Sequence, residues 1–151
     1  MADRERDGYV LTTDRDRVDV DRLHRWLSEE AYWALGRPRE VVEKTIDASW
    51  VWSVFAPDGQ QVAFLRAVTD ALTFAWICDV FVDPAHRGHG LATWLSQEAV
   101  ADLTAAGVDR LVLATSSAHA VYERVGFTIP AEGRYMHLDT RGMTLPAPAA
   151  P

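Results

Sequence analysis

A chain of 151 residues with 48% hydrophobic and 25% charged residues is long enough to bury a core and has the composition of an ordinary globular domain. Its formal net charge of -7 argues against broad nucleic-acid binding, which needs a basic face to neutralise phosphates, and no apolar run nears the roughly 20 residues of a membrane helix. The single cysteine, Cys78, excludes an intrachain disulfide and an all-cysteine metal cage, so no metal is expected; the polar start lacks the apolar core of an export signal, which makes a cytoplasmic location the default.

Residues 1–8 are charged and unpatterned and read as a flexible start, and the Pro/Ala-rich residues 141–151 read as a disordered tail. Between them, residues 9–140 show no repeat and no linker, and read as a single domain. Tyr9 to Thr13 suits a short strand. Asp19 can cap a helix whose apolar positions Leu23, Trp26, Leu27, Ala31 and Ala34 recur at spacings of three and four, with Gly36 as its stop. Pro38 can open a second helix with Val41, Val42, Thr45 and Ile46 turned inward.

Trp50 to Phe55 and Gln61 to Val68 are β-branched and aromatic, and Asp58-Gly59 between them signals a hairpin. A further strand is expected from Thr73 to Val82, ended by Pro84. After Gly88-His89-Gly90, an apolar stripe at Leu91, Leu95, Ala99 and Leu103 predicts a long helix that stops at Gly107. Leu111 to Ala114 reads as a buried strand, Ala118 to Val125 as a brief helix, and Tyr135 to Leu138 as a last strand. This order implies a mixed sheet with helices on its faces, of the α/β or α+β class.

The chemistry concentrates where a strand ends, glycines turn the chain and the long helix begins, from Asp79 to Ala92. The first amides of a helix lack internal partners, and the helix dipole adds partial positive charge there. Glycines let those amides approach an anion closely, which makes a diphosphate site; Arg87 adds a charge. The three-glycine dinucleotide pattern and the Gly-Lys-Ser/Thr of a P-loop are both absent.

Arg87, Gly90 and Ala92 match Arg/Gln-x-x-Gly-x-Gly/Ala, preceded by Val82-x-Pro84, and Tyr122 with Gly126-Phe127 follows downstream. In these motifs the chain resembles the GNAT superfamily of acyl-CoA N-acyltransferases over residues 9 to 139. The resemblance implies a mostly antiparallel sheet of six to seven strands, splayed in the middle and flanked by about four helices. It implies acetyl-CoA as acyl donor, with the amides of Arg87, Gly88, His89, Gly90, Leu91 and Ala92 on the pyrophosphate. Val80, Phe81 and Val82 would lie along the pantetheine arm, and the amide of Val80 or Phe81 would donate to the oxygen that gains charge.

Tyr122 would stand at the sulfur as general acid. The base stays open between Asp79, His119 and water, with Asp70, Glu29 and Glu30 as further acidic options. The acceptor pocket is expected at Glu29, Tyr32, Trp33 and Trp76, with one of the adjacent Tyr32 and Trp33 packed inward; Phe74 could floor it, and Arg37 or Arg66 could hold an acceptor carboxylate. The expected acceptor is a small-molecule or amino-acid-like amine. A peptide acceptor and a non-catalytic acyl-CoA-binding module are the alternatives. No membrane partner is expected, and six tryptophans leave room for a homodimer interface.

Overall fold

The computed structural model describes residues 3–139 and Arg141, and it begins with a hairpin. Asp7 (φ 52°) and Gly8 (φ 82°) are both left-handed, as a two-residue turn matched to strand twist requires. They join β1 (Arg4–Arg6) to β2 (Tyr9–Thr12), with Arg6 opposite Tyr9. The expectation of a loose start is therefore corrected from Arg4 onward. Charge rather than apolar pattern holds β1: Arg4 Nη1 lies 3.0 Å from both Asp102 and Glu98.

The next strands, β3 (Trp50–Phe55), β4 (Gln61–Thr69) and β5 (Ala75–Val82), continue an antiparallel meander, and β6 (Leu111–Leu113) adds in parallel to β5. Among the described residues the sheet is open, with six strands in chain order. β5 starts two residues later than its composition suggests, because the Asp70 carboxylate accepts the amides of Leu72, Thr73 and Phe74 and ties them into a loop. Asp70 is thereby spent on local structure.

Alternation along the strands sends residues to two cores. On one face, Leu91, Leu95, Ala99 and Leu103 of α3 (Leu91–Ala105) pack with Trp52, Leu65 and Ile77. On the other, Leu23 of α1 (Val20–Arg25), Trp26 and Leu27 of the wider π turn that follows (Trp26–Glu30), and Val42 and Ile46 of α2 (Arg39–Asp47) cover Val51, Phe64 and Phe81. Each such buried side chain contributes about 1.5–3 kcal/mol.

Asp19 caps α1 through the Arg22 amide (3.0 Å), as its position suggests, but the helical run ends at Glu30 and residues 31–36 form turns. In α2 only the i, i+4 pair Val42 and Ile46 is buried; Val41 is exposed and Thr45 half-buried, its hydroxyl turned back to the Val42 carbonyl. The short α4 is His119–Glu123.

The strand expected at Tyr135 to Leu138 does not form. The Arg134 amide closes a turn on the Ala131 carbonyl, and beyond it Tyr135, Met136 and Leu138 stand exposed. The Pro/Ala-rich tail lies outside the described residues, apart from Arg141. Among the described residues no helix is long and apolar enough to cross a membrane.

Candidate active site

Cys78 lies opposite Arg66, and Phe81 opposite Phe64. Asp79 and Val80 together therefore face Leu65, which is a β-bulge. Asp79 has φ 52°, a left-handed conformation that costs a non-glycine residue on the order of 1–3 kcal/mol. The extra residue re-aims the strand. Before it, Ala75 and Ile77 point into the core under α3; beyond it, Phe81 points to the α1 side while Val80 and Val82 pack toward α3.

Three donors hold the bulge. Trp33 Nε1 donates to Asp79 Oδ1 at 3.0 Å, and Arg37 Nη1 and Arg66 Nε both donate to Oδ2 at 2.6 Å. Asp79 is 4% exposed. Burial alone would push its carboxyl up, but the guanidiniums of Arg66 and Arg37 outweigh burial and hold it below the usual carboxylate range. The arginines read as acceptor ligands in the sequence are thus both engaged with Asp79. Beside it, burial pushes the Cys78 thiol up to about 11, so the half-buried Cys78 is a protonated, unreactive group at neutral pH.

β6 pairs only with Ala75, Trp76 and Ile77 of β5. Past that point β5 runs on to Val82 while the chain leaving Leu113 turns away into α4, so the sheet splays. The gap opens into a cavity of about 470 Å³. One wall is Val80, Phe81, Val82, Arg87, Gly88, Gly90, Leu91 and Ala92; the other is Ser117, Ala118, Val121, Tyr122 and Arg124. Of the expected donor-site residues only His89 is not in the lining. Its Nδ1 bonds the His86 carbonyl at 3.1 Å, and its ring tilts against Tyr9. His86 lines the cavity instead.

Sequence reasoning did not find Ser117, Val121 and Arg124. The available signal was helical spacing, since Val121 in α4 and Arg124 at its C-cap lie one turn apart on either side of Tyr122. Gly88 (φ 81°) and Gly90 (φ 68°) carry the turn in the left-handed region, where a side chain would strain the backbone. Arg87 folds back, its Nε 3.1 Å from the Val82 carbonyl and its guanidinium over the Phe81 ring.

Tyr122 lines this cavity and also a second hollow of about 840 Å³ beside β6, which includes Trp76 and His119. Burial, and then the nearby Tyr32 phenol, raise the Tyr122 phenol above its ordinary value. Tyr32 and Trp33 meet edge to face at 5.0 Å. They sit in a turn rather than a helix, so neither packs inward: they are 59% and 42% exposed. Tyr32 reaches Ser116 Oγ beyond β6 (2.6 Å) while Trp33 reaches Asp79 in β5, so the pair spans the splay. Glu29 is exposed at the end of the π turn and lines neither hollow.

A family model described as the acetyltransferase (GNAT) family matches residues 20–127. The chain belongs to the GNAT acetyltransferase family. Among known GNAT and other acetyltransferases it is similar to serotonin N-acetyltransferase 2, chloroplastic, of Oryza sativa subsp. japonica (30% identity, 81% of this chain and 62% of that protein). It is also similar to GCN5-related N-acetyltransferase 1, chloroplastic, of Arabidopsis thaliana (28% identity, 87% and 67%). The chain spans only about two thirds or less of these curated relatives. A GNAT-family crystal structure from Xanthomonas campestris pv. campestris superposes with TM-score 0.82 at 39% identity, covering 89% of this chain and 95% of that one. A Clostridium acetobutylicum protein solved with acetyl-CoA shares the GNAT fold at TM-score 0.67 and 17% identity, covering 89% and 96%. The region matched by the GNAT family model contains both walls of the splay and leaves out the hairpin of β1 and β2.

Proposed function

We propose that the chain transfers an acetyl group from acetyl-CoA to the primary amine of a small-molecule or amino-acid-like acceptor, both held at once. The observation that carries this reading is the splay itself: an unpaired strand edge that runs from the glycine turn at the start of α3 toward Tyr122. The glycine turn and the first amides of α3 suit a diphosphate. The edge of Val80 and Val82, without a strand partner on the cavity side among the described residues, suits an extended polar arm pairing as an added strand. Acetyl-CoA, when bound, supplies an activated thioester carbonyl.

The chain's own groups do the rest. The Val80 amide, displaced by the bulge, donates to the carbonyl oxygen as charge gathers there. The Tyr122 hydroxyl gives its proton to the sulfur as the carbon–sulfur bond breaks, and it recovers one from the solvent that accepts the amine's proton. Asp79 already accepts from three donors and is held ionised, so we assign it the task of pinning the bulge. One carboxylate beside two guanidiniums leaves net positive charge, which disfavours an ammonium nearby and so helps the acceptor shed its proton to water or to His119.

The half-exposed aromatics Tyr32, Trp33, Phe74 and Trp76 favour an acceptor with a flat apolar body, and the rice relative's name specifies serotonin. Across a panel of amines, Trp76→Ala should raise KM for aryl-bearing amines about tenfold and leave small aliphatic amines unchanged. Equal effects on both classes would remove the aromatic preference. The donor assignment is tested by calorimetry with acetyl-CoA. Wild type should bind, and Arg87→Glu should weaken binding about tenfold or more by placing a negative charge at the diphosphate turn. No association at millimolar acetyl-CoA would end this reading.

A further inference from the structure

The outer side of the glycine turn rests on the amino-terminal hairpin, which lies outside the residues matched by the family model. Arg6, the last residue of β1, donates through Nη2 to the carbonyls of His89 (3.2 Å) and Gly90 (3.1 Å). Its guanidinium is itself fixed, 4.6 Å from the centroid of Trp94 in the first turn of α3. Trp94 is 6% exposed and anchored by Nε1 on Glu98 at 3.1 Å. From β2, the Tyr9 hydroxyl meets His86 Nδ1 at 3.0 Å. The hairpin therefore touches the turn at both ends.

The consequence follows from peptide geometry. In a trans peptide the carbonyl and the next N–H point in opposite directions, and the described residues contain no cis peptide. A His89 carbonyl drawn outward to Arg6 sends the Gly90 N–H the other way, and a Gly90 carbonyl drawn outward does the same to Leu91. Gly90 and Leu91 both line the cavity. The Gly90 carbonyl also accepts the Trp94 amide at 3.0 Å, so α3 itself sets the Leu91 amide; glycines at 88 and 90 leave the His89–Gly90 plane free to rotate, and that plane needs an external group to select one orientation.

We propose that Arg6 is a positioning residue for the acyl donor: its Nη2 group, holding the His89 carbonyl outward, sets the amide of Gly90 toward the diphosphate before the ligand arrives. The proposal rests on the acyl-CoA reading of the cavity. It predicts an effect on donor binding, through pre-organisation, and none on the chemical step.

Arg6→Met keeps an apolar side chain beside Trp94 and removes the guanidinium with its Nη2 donors. It should weaken acetyl-CoA binding and raise the acetyl-CoA KM about tenfold, with kcat and the acceptor KM within about twofold. Arg6→Lys keeps the charge, but its ammonium ends short of the Nη2 position and lacks the planar group set over Trp94, so it should stay nearer to Arg6→Met than to wild type; full recovery would show that charge alone acts and would overturn the proposal. A second readout uses ¹⁵N relaxation of the ligand-free protein. The order parameter of Gly90, about 0.85 in wild type, should fall toward about 0.6 in both variants, and an unchanged value overturns it. If wild type itself binds no acetyl-CoA, the acyl-CoA reading and the donor role of Arg6 both fail, while the relaxation data still decide whether Arg6 orders the turn.

Discussion

Tyr122→Phe is expected to lower kcat by roughly 10- to 100-fold, the low end of general-acid contributions because a thiolate is already a fair leaving group, while acetyl-CoA affinity changes little. The variant isolates one atom. Phenylalanine keeps the ring that meets Phe127 edge to face at 6.1 Å, so the packing of α4 survives and only the hydroxyl is lost. Burial and the Tyr32 phenol raise the Tyr122 phenol; an acid whose value is raised above about 10 remains protonated throughout the neutral range. The wild-type kcat profile should accordingly show no loss of this acid across the neutral range. Steady-state kinetics with a saturating amine provide the measurement, and turnover equal to wild type would take Tyr122 out of the reaction.

Asp79→Asn is expected to cost about 3–5 kcal/mol of folding stability at pH 7, the usual result of stranding a buried charge. The asparagine has the same shape but leaves Arg37 and Arg66, whose side chains are 20% and 12% exposed, without their shared counter-ion. The pH dependence follows from the direction of the shift. The folded-state carboxyl lies below its unfolded value, so its contribution is complete above about pH 4 and is lost as pH falls through the depressed value. Urea unfolding at pH 7 and near pH 3 should show a gap between wild type and variant that narrows in acid. A gap below about 0.5 kcal/mol at pH 7 would contradict the role given to the cluster. Because the bulge aims the Val80 amide, the folded fraction of the variant should also turn over more slowly.

The parts of the molecule legible in its residues are those built from local periodicity. Leu91, Leu95, Ala99 and Leu103 are all 0–2% exposed, as a four-residue stripe demands, and the meander from β3 to β5 follows from its β-branched and aromatic runs and Asp58-Gly59. The glycine turn announced itself because a turn from a strand end into a helix start needs only neighbours in the chain. What stayed hidden depends on contacts distant in sequence. Asp79 draws partners from 46, 42 and 13 residues away, and nothing near it in the chain foretells them. β1 escaped notice because Arg4-Glu5-Arg6 carries no apolar signal, although Asp7-Gly8 is the same turn dipeptide that marked the later hairpin. Val41 misled because four candidate inward positions share a helix too short to bury more than one stripe.

The three-residue joint between β5 and β6 has a mechanical consequence. The β6–α4 portion hangs on the meander by a short parallel ladder, so it is the natural unit for local opening. An extended ligand lying along the remainder of β5 would act as a stitch across that seam, and occupancy would be felt as tightening of the carboxy-terminal third of the fold. At a hundred times its dissociation constant such a ligand contributes about 2.7 kcal/mol to the folded state. An acyl donor bound there would thus rigidify the fold as well as supply the acetyl group.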